Sequence, residues 1–555
     1  MADTVRETER KYEADGGGAL AAGLPELTGV GPVASVVERD AVHLDATYYD
    51  TAERRLARDG ITLRRRTGGD DAGWHLKLPV ADHVRDEIRA PLAEGIPRAL
   101  RGLVRSRVRD AELLPVVRIE TRRELRHLMD EGGTKIAELA VDEVRATRPS
   151  GPGRAASWTE IEVELAPGGD PAVLDAVDAG LRRAGLRPSA AASKAARAWT
   201  ETAPEDEAEP SADKPEGKPG NKPGNKPADK PGKKKPADKP GDKKKPASGA
   251  TGGKAAPPAQ PTALEAVLAY VTEQVRAIVE LDPAVRRDQP DSVHRMRVAT
   301  RRLRSAFRSY AKVLDRAVTD PVGAELKWLA GELGIDRDRE VLTARLHEGL
   351  SGLPRTLQLG PVRARLKIWS HARRQGSRKH LIAVLDGPRY LALLATLDAL
   401  LADPPTAAWA DRPAAKVLPK VVERDFRRLA GRIGAALATP QGAERDAALH
   451  AARKAAKRTR YAAEAAKPEL GKPAKKFAKK MTAVQDLLGD HQDSVVARGA
   501  LRDLGIQAHG AGESSFTFGL LYGREESRAA DRERELPALW AKAANPKHRR
   551  PLHRK

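Results

Sequence analysis

Two rhythms of apolar and polar positions divide this chain. Over the first two hundred residues, short segments alternate with the period of a half-buried strand: Thr47–Asp50, Ile61–Arg66, Trp74–Leu78, Val116–Leu125, Ile136–Val144 and Trp158–Leu165. Gly68-Gly69 and Gly132-Gly133 punctuate them as turns. After Pro261 the period becomes helical, in a sequence rich in Ala, Leu and Arg with few strand signals. Between the two, Ala203 to Pro261 is Lys, Pro, Gly, Asp and Ala with almost no large apolar side chain, which cannot bury a core. The pattern predicts an α+β chain in three parts. Residues 1–200 form an antiparallel β domain closed into a barrel, 201–261 a disordered linker, and 262–555 an all-helical domain.

A length of 555 residues suits two to four domains. The net charge of +22 is uneven: residues 1–200 hold 31 basic and 33 acidic side chains, whereas 261–555 hold 55 and 34. The helical part is therefore expected to meet a polyanion. The absence of cysteine excludes disulfides, thiolate metal sites and cysteine nucleophiles. The polar start and the lack of a ~20-residue apolar run lead us to expect a soluble, cytoplasmic protein with no membrane partner.

Charge changes the picture of the strands. In Glu7-Thr8-Glu9-Arg10-Lys11, strand alternation sets Glu7, Glu9 and Lys11 on one face. That face is either a solvated edge or a place where a hard divalent cation relieves two carboxylates. Arg64 and Arg66 pair at i and i+2, as do Arg85 and Glu87, while Glu138 and Asp142 stand at i and i+4. Glu160, Glu162 and Glu164 share one face, with Ile161, Val163 and Leu165 on the other. A barrel packed outside by helices and lined inside by charge accounts for this. Lumenal Arg and Lys would hold phosphate oxygens, and clustered Glu the cations that accompany them.

Together these residues resemble a CYTH domain of the triphosphate tunnel metalloenzyme type, over essentially all of 1–200. Glu7, Glu9 and Lys11 stand as its Glu-x-Glu-x-Lys motif, and Leu63 to Arg66 as its Leu-Arg-x-Arg element. Leu76-Lys77-Leu78-Pro79, the Arg85-x-Glu87 pair, Arg122, the acidic strands and Ser193 to Arg197 follow in order. The resemblance implies a tunnel that binds and hydrolyses or transfers a triphosphate with Mg²⁺ or Mn²⁺. It makes Glu7, Glu9, Glu162 and Glu164 metal ligands, and Lys11, Arg64, Arg66, Lys77, Arg85, Arg122 and Lys194 phosphate ligands. Glu87 and Lys194 are its catalytic candidates, Glu87 as the carboxylate that orients water. Glu160 is either a further ligand or the strand's wet mouth. Arg118, Glu120, Arg123 and Glu124 read as surface positions.

The helical part contains a repeat. His294-x-x-Arg297 through Arg304 aligns with His450-x-x-Arg453 through Arg460 at an offset of 156, and Leu333-Gly334 with Leu488-Gly489 at 155. Offsets that agree to within one residue indicate two duplicated helical-bundle halves. Steps of three and four put His294, Arg297, Arg301 and Arg304 on one helix face, and His450, Arg453 and Lys457 on another. Each stripe is a solvated face or, given two of them, one shared anion-binding surface. The half resembles a CHAD domain, on His450-x-x-Arg453-Lys454-x-x-Lys457-Arg458-x-Arg460-Tyr461 and on Arg337-Asp338. The resemblance implies binding of inorganic polyphosphate by His294, Arg297, Arg301, Arg304, His450, Arg453, Lys454, Lys457 and Arg460. Both histidines could instead be hydrogen-bonded between the halves, and Asp338 and Asp493 read as structural.

The expected function is a metal-dependent triphosphatase or polyphosphatase acting on tripolyphosphate or polyphosphate, the helical domain holding the polymer, in the cytoplasm alongside polyphosphate granules. A tether of roughly sixty residues would reach about 40–45 Å and raise the effective concentration of one site at the other. The alternatives are a non-catalytic polyphosphate-binding protein, or a thiamine triphosphatase or adenylyl cyclase of the same superfamily. The basic helices would attract any phosphate polyanion, but no sequence-specific nucleic-acid motif is present.

Overall fold

The computed structural model describes residues 3–13, 24–149, 154–204, 260–371 and 377–553. The predicted linker falls almost wholly outside them.

Eight antiparallel strands close into a barrel: β1 (Asp3–Glu13), β2 (Ser35–Asp50), β3 (Thr62–Thr67), β4 (Gly73–Ala81), β5 (Val84–Ala90), β6 (Leu114–Met129), β7 (Lys135–Thr147) and β8 (Ala156–Leu165). Their order is β5-β4-β3-β2-β6-β7-β8-β1, and β1 pairs back onto β5 to close the ring. A two-residue β9 (Arg187–Pro188) adds to β1. The short helix α1 (Arg55–Arg58) follows β2.

The outside of the barrel is packed, as the glutamate-bearing strand requires. Leu139 of β7 and Ile161 and Val163 of β8 share a core with Val173, Leu174, Val177 and Leu181 of α3 (Ala172–Arg183). Leu63, Trp74, Leu76 and Ile88 pack under Leu100, Leu103 and Val104 of α2 (Arg98–Val108). Helix α4 (Lys194–Glu201), capped by the Ser193 side chain, sends Lys194 inside. With the outward side chains of these strands apolar and covered, their alternate side chains face the lumen.

Among the described residues, the region after Gln260 is helical apart from turns, loops and two isolated bridges. A capping box of Thr262 and Glu265 starts α5 (Ala263–Arg286). It is followed by α6 (Ser292–Ser309), α7 (Arg316–Glu332), α8 (Gly334–Ser351), α9 (Val362–His371), α10 (Ser377–Asp386), α11 (Pro388–Ala402), α12 (Ala414–Ala438), α13 (Ala443–Ala465), α14 (Lys467–Gly510, broken at Gly471 by a φ of 59°) and α15 (Phe516–Ala544). One large core joins α5, α6, α7, α10, α11, α12, α13, the first part of α14 and the end of α15. A second joins α8, α9, α15 and the rest of α14. No single described helix is long and apolar enough to cross a membrane.

The duplication has a structural counterpart. A Cβ on Gly334 would lie 2.8 Å from the Arg297 guanidinium, and one on Gly489 3.6 Å from that of Arg453. In each half the glycine gives room to the arginine three residues after the histidine.

Candidate active site and polyanion surface

The β1–β8 register sets Glu9 opposite Glu164 and Lys11 opposite Glu162, while Lys77 of β4 faces Glu87 of β5. Their side chains line a lumen of about 550 Å³, together with Glu7, Arg64, Arg66, Arg85, Arg123 and Lys194. Of the residues expected inside, all but Arg122 are there.

Most of the lumenal charge is paired. Lys77 Nζ is 2.5 Å from Glu7 Oε2, and Lys11 Nζ is 2.6 Å from Glu162 Oε1. Lys194 Nζ lies 2.7 Å from Asp142, 2.8 Å from Glu160 and 2.7 Å from Glu162. The Asp142–Glu160–Glu162 triad has the spacing of a metal site, but the Lys194 ammonium already fills it. Glu160 also accepts from Trp158 Nε1 at 2.8 Å and is buried, so it is no wet mouth. Glu164 is different. Burial, and then the nearby Glu7, push its carboxyl up to about 7, Lys77 offsetting only part of this. Burial alone would raise Glu9 too, but Lys11 and Lys77 outweigh it and hold Glu9 at about 2. Negative charge is thus in surplus around Glu164. A crowded oxygen-only donor set of this kind fits a hard divalent cation.

Cations also crowd one another around Arg66, whose guanidinium donates to Asp71. Burial, then Arg64 and Arg123, push Arg66 below the usual guanidinium range. Glu87 is 1% exposed and lies 3.6 Å from Arg64, 3.8 Å from Lys77 and 2.5 Å from Arg89. Against burial, His75, Lys77 and Arg64 hold it well below the carboxylate range. His75, fully buried behind it, places Nδ1 2.9 Å from Glu87 Oε1 and Nε2 2.8 Å from the Asp71 carbonyl. Burial, then Arg64 and Arg66, drive the ring down to about 4 despite Glu87. Both ring nitrogens thus face acceptor oxygens, one on Glu87 and one on the Asp71 backbone.

One expectation is overturned. Arg122 was expected in the tunnel and Arg123 on the surface, and the structure reverses them. Arg122 lies outside, 43% exposed, beside Glu124 (2.8 Å) and Glu143 (3.4 Å). Arg123 points inward, to Asp142 (2.6 Å) and Glu162 (2.7 Å). The cause is the pleat: Val117, Ile119 and Thr121 of β6 face inward, so the odd positions are the lumenal ones. Arg118, Glu120 and Glu124 are exposed, as expected. Arg89 and Arg123 in the lumen, and His75 behind Glu87, are among the residues that the sequence reading missed. The alternation of Arg85, Glu87 and Arg89 could have found Arg89, and the apolar phase of β6 Arg123.

In the helical region α6 and α13 pack against one another, so the two stripes converge. Tyr310 Oη donates to the Ala462 carbonyl at 2.9 Å and Arg302 pairs with Glu464 at 3.2 Å. Lys457, placed by α13, is driven down to about 7 by burial first, then by Arg453, Arg301 and Arg297. Residues from both halves thus crowd one ammonium. His450 is lowered by burial and the nearby Lys454, and Lys454 itself is exposed. His294 is half-buried. Arg460 stacks over Tyr461 and lies 3.7 Å from Glu464. Arg304 instead lines a second basic cavity of about 700 Å³ with Arg308, Arg424 and Arg428. Asp493 lies 4.0 Å from Arg453; the Asp338 side chain lies outside the described residues.

Comparison with known proteins agrees with this division. Residues 6–198 match the CYTH domain family and 269–502 the CHAD domain family. An uncharacterized protein of Mycobacterium tuberculosis is 36% identical over 531 residues, covering 92% of this chain and 91% of its own length. Among solved structures, the CHAD domain from the plant Ricinus communis shares 28% identity, covering 52% of this chain and 93% of its own, with a TM-score of 0.41. A Hippeastrum protein assigned as an adenylyl cyclase, in which triphosphatase activity dominates, shares 18% identity over 36% of this chain and 99% of its own, with a TM-score of 0.23.

Proposed function

Because the chain belongs to the family in which a CYTH domain precedes a CHAD domain, we propose that it hydrolyses triphosphate groups in the barrel, with Mg²⁺ or Mn²⁺, and holds inorganic polyphosphate on its basic helices. The observation that carries the reading is the division of charge inside one lumen. Carboxylates crowd one another around Glu164, and Arg64, Arg66 and Arg123 crowd one another in the same lumen. Polyphosphate bound with a divalent ion needs both.

Glu7, Glu9 and Glu164 would hold the ion, with Glu162 shared between it and Lys11. The ion would supply charge neutralisation at the phosphoryl oxygens and a more acidic water. Arg64, Arg66, Arg123 and Lys77 bind phosphate oxygens and stabilise the charge that spreads onto them during transfer. Lys194 is a positioning residue. It gathers Asp142, Glu160 and Glu162, and so leaves Glu164 to the ion. Glu87, held ionised and oriented by His75, accepts a hydrogen bond from the attacking water. The functional units are residues 1–200 and 262–555, acting in the cytoplasm where polyphosphate is present.

The test is phosphate release from tripolyphosphate, long polyphosphate, ATP and thiamine triphosphate with each metal. The Glu7→Gln/Glu9→Gln variant should fold and bind long polyphosphate, yet release no phosphate. Near-normal hydrolysis by that folded variant overturns the metal assignment. Selective cleavage of thiamine triphosphate, or cyclic product from ATP, overturns the substrate assignment.

A further inference from the structure

The outer face of the barrel carries one buried carboxylate that the tunnel does not use. Asp86 sits on β5 next to Glu87, and alternation sends it outward, where its side chain is only 5% exposed. Arg6 of β1, directly opposite in register, donates to it from Nε at 2.9 Å. Its second oxygen accepts from Arg287, at the end of α5, at 2.9 Å, and from Gln289 at 3.4 Å. Arg6 and Arg287 hold Asp86 below the usual carboxylate range although burial would raise it.

Three more contacts lie along the same seam. Ser106 Oγ and Arg107 Nη1 of α2 both donate to the Val279 carbonyl of α5, at 3.3 and 3.1 Å. Arg109 donates to Asp398 of α11 at 2.8 Å. A Cβ on Gly102 of α2 would lie 3.8 Å from the Arg286 guanidinium. Arg286 is itself tied to Asp282 and Asp386. The backbone is also unusual here. Of five described non-glycine residues with positive φ, three are Arg109, Asp288 and Asp291. Such conformations persist where the surroundings over-determine them. Asp288 and Asp291 flank the turn between Arg287 and α6, the helix that opens the basic stripe.

We infer that the outer face of the β1–β5 pair, together with α2, is a built seat for the α5–α6 corner, so that the barrel and the helical domain form one body whose union does not depend on the connecting chain. The partner this surface fits is the chain's own C-terminal region, recognised by a buried carboxylate shared between Arg6 and Arg287. The seat holds the start of the basic stripe at a fixed place relative to the wall that carries Glu7, Glu9 and Glu87.

The experiment reads association, not activity, so it stands apart from the proposed reaction. A protease site placed between residues 210 and 250 of the full chain is cut, and the halves are run by gel filtration at about 10 μM in moderate salt. They should co-elute. In the cut protein, Arg287→Glu should weaken association at least tenfold, as loss of a buried charge pair does, and Asp86→Arg should do the same by facing Arg6 and Arg287. The Asp86→Arg/Arg287→Glu double variant should recover most of it. Gly102→Trp, which leaves the Asp86–Arg287 pair in place, should separate the halves by steric conflict, with each uncut variant checked for folding by circular dichroism. Wild-type halves that part on cutting overturn the inference. So do halves that stay together regardless of Arg287→Glu and Gly102→Trp.

Discussion

Lys457 offers the sharpest test of the basic surface, because its ammonium is held near pH 7 by burial and by arginines from both halves. A lysine pKa lowered from 10.5 makes the unfolded chain bind more protons between pH 7 and 10.5, so this group's contribution to stability grows as pH rises across that window. A bound polyphosphate reverses the local field and raises the pKa. Lys457 is partly exposed, so we take the phosphates to restore about 1.5 of the missing units rather than all of them, or ~2 kcal/mol at 1.36 per unit. Linkage then gives uptake of about 0.7 proton on binding near pH 7.7, and affinity roughly twentyfold stronger at pH 6 than at pH 9. Calorimetric titration with long polyphosphate, in buffers of different ionisation enthalpy, measures the uptake directly. Lys457→Met keeps the stem but removes the titrating group, and should lower uptake by at least half a proton while flattening the pH profile. Unchanged uptake in Lys457→Met refutes the claim that the stripes converge on this side chain.

Other outcomes follow from the same geometry. Arg123→Gln leaves Asp142 to Lys194 and Glu162 to Lys11 and Lys194, and should cost about 2–3 kcal/mol in urea unfolding together with most hydrolysis, whereas Arg122→Gln should alter neither measurement. The Glu164 pKa of about 7 lies above the unfolded value, so its contribution to stability is present at low pH and is lost as pH rises from 4.5 to 7. Glu164→Gln should therefore stabilise the metal-free protein at pH 8 by on the order of 2 kcal/mol, seen as a higher Tm, while lowering metal-dependent turnover at least a hundredfold; a lower Tm contradicts the charge surplus. Gly334→Ala should displace Arg297 and weaken polyphosphate binding several-fold, while Gly489→Ala, with its looser approach to Arg453, should be tolerated.

The charged alternation of Glu160 to Glu164 against Ile161 to Leu165 was enough to read a packed outside and a polar inside, because period 2 leaves no third face. The same rule misled at Arg122 and Arg123. Both are arginines, so composition cannot choose between them, and only the apolar phase of Val117 and Ile119 does. The first half of β2, Ser35 to His43, carries Glu38-Arg39-Asp40 and no clean alternation; pairing with β6 makes it a strand. The helical repeat was legible because its arginine, glycine and histidine spacing survives in both halves. The role of Lys194 was half legible: its place in the tunnel came from a motif, but its three carboxylate partners come from β7 and β8, whose register no local signal sets.

The order of strands around the ring also bears on how the tunnel comes into being. Strand β1 is made first, yet its partners are residues 84–89 and 160–164. At roughly 5–20 residues per second, Glu7 and Glu9 would wait about ten to thirty seconds of synthesis for β8, and longer for Lys194. Until β8 is added the nascent chain lacks a strand that flanks β1 and has no enclosed lumen. The barrel therefore closes by a long-range step of high contact order, and any shortened product ending before residue 160 carries the amino-terminal acidic motif with no cavity to put it in.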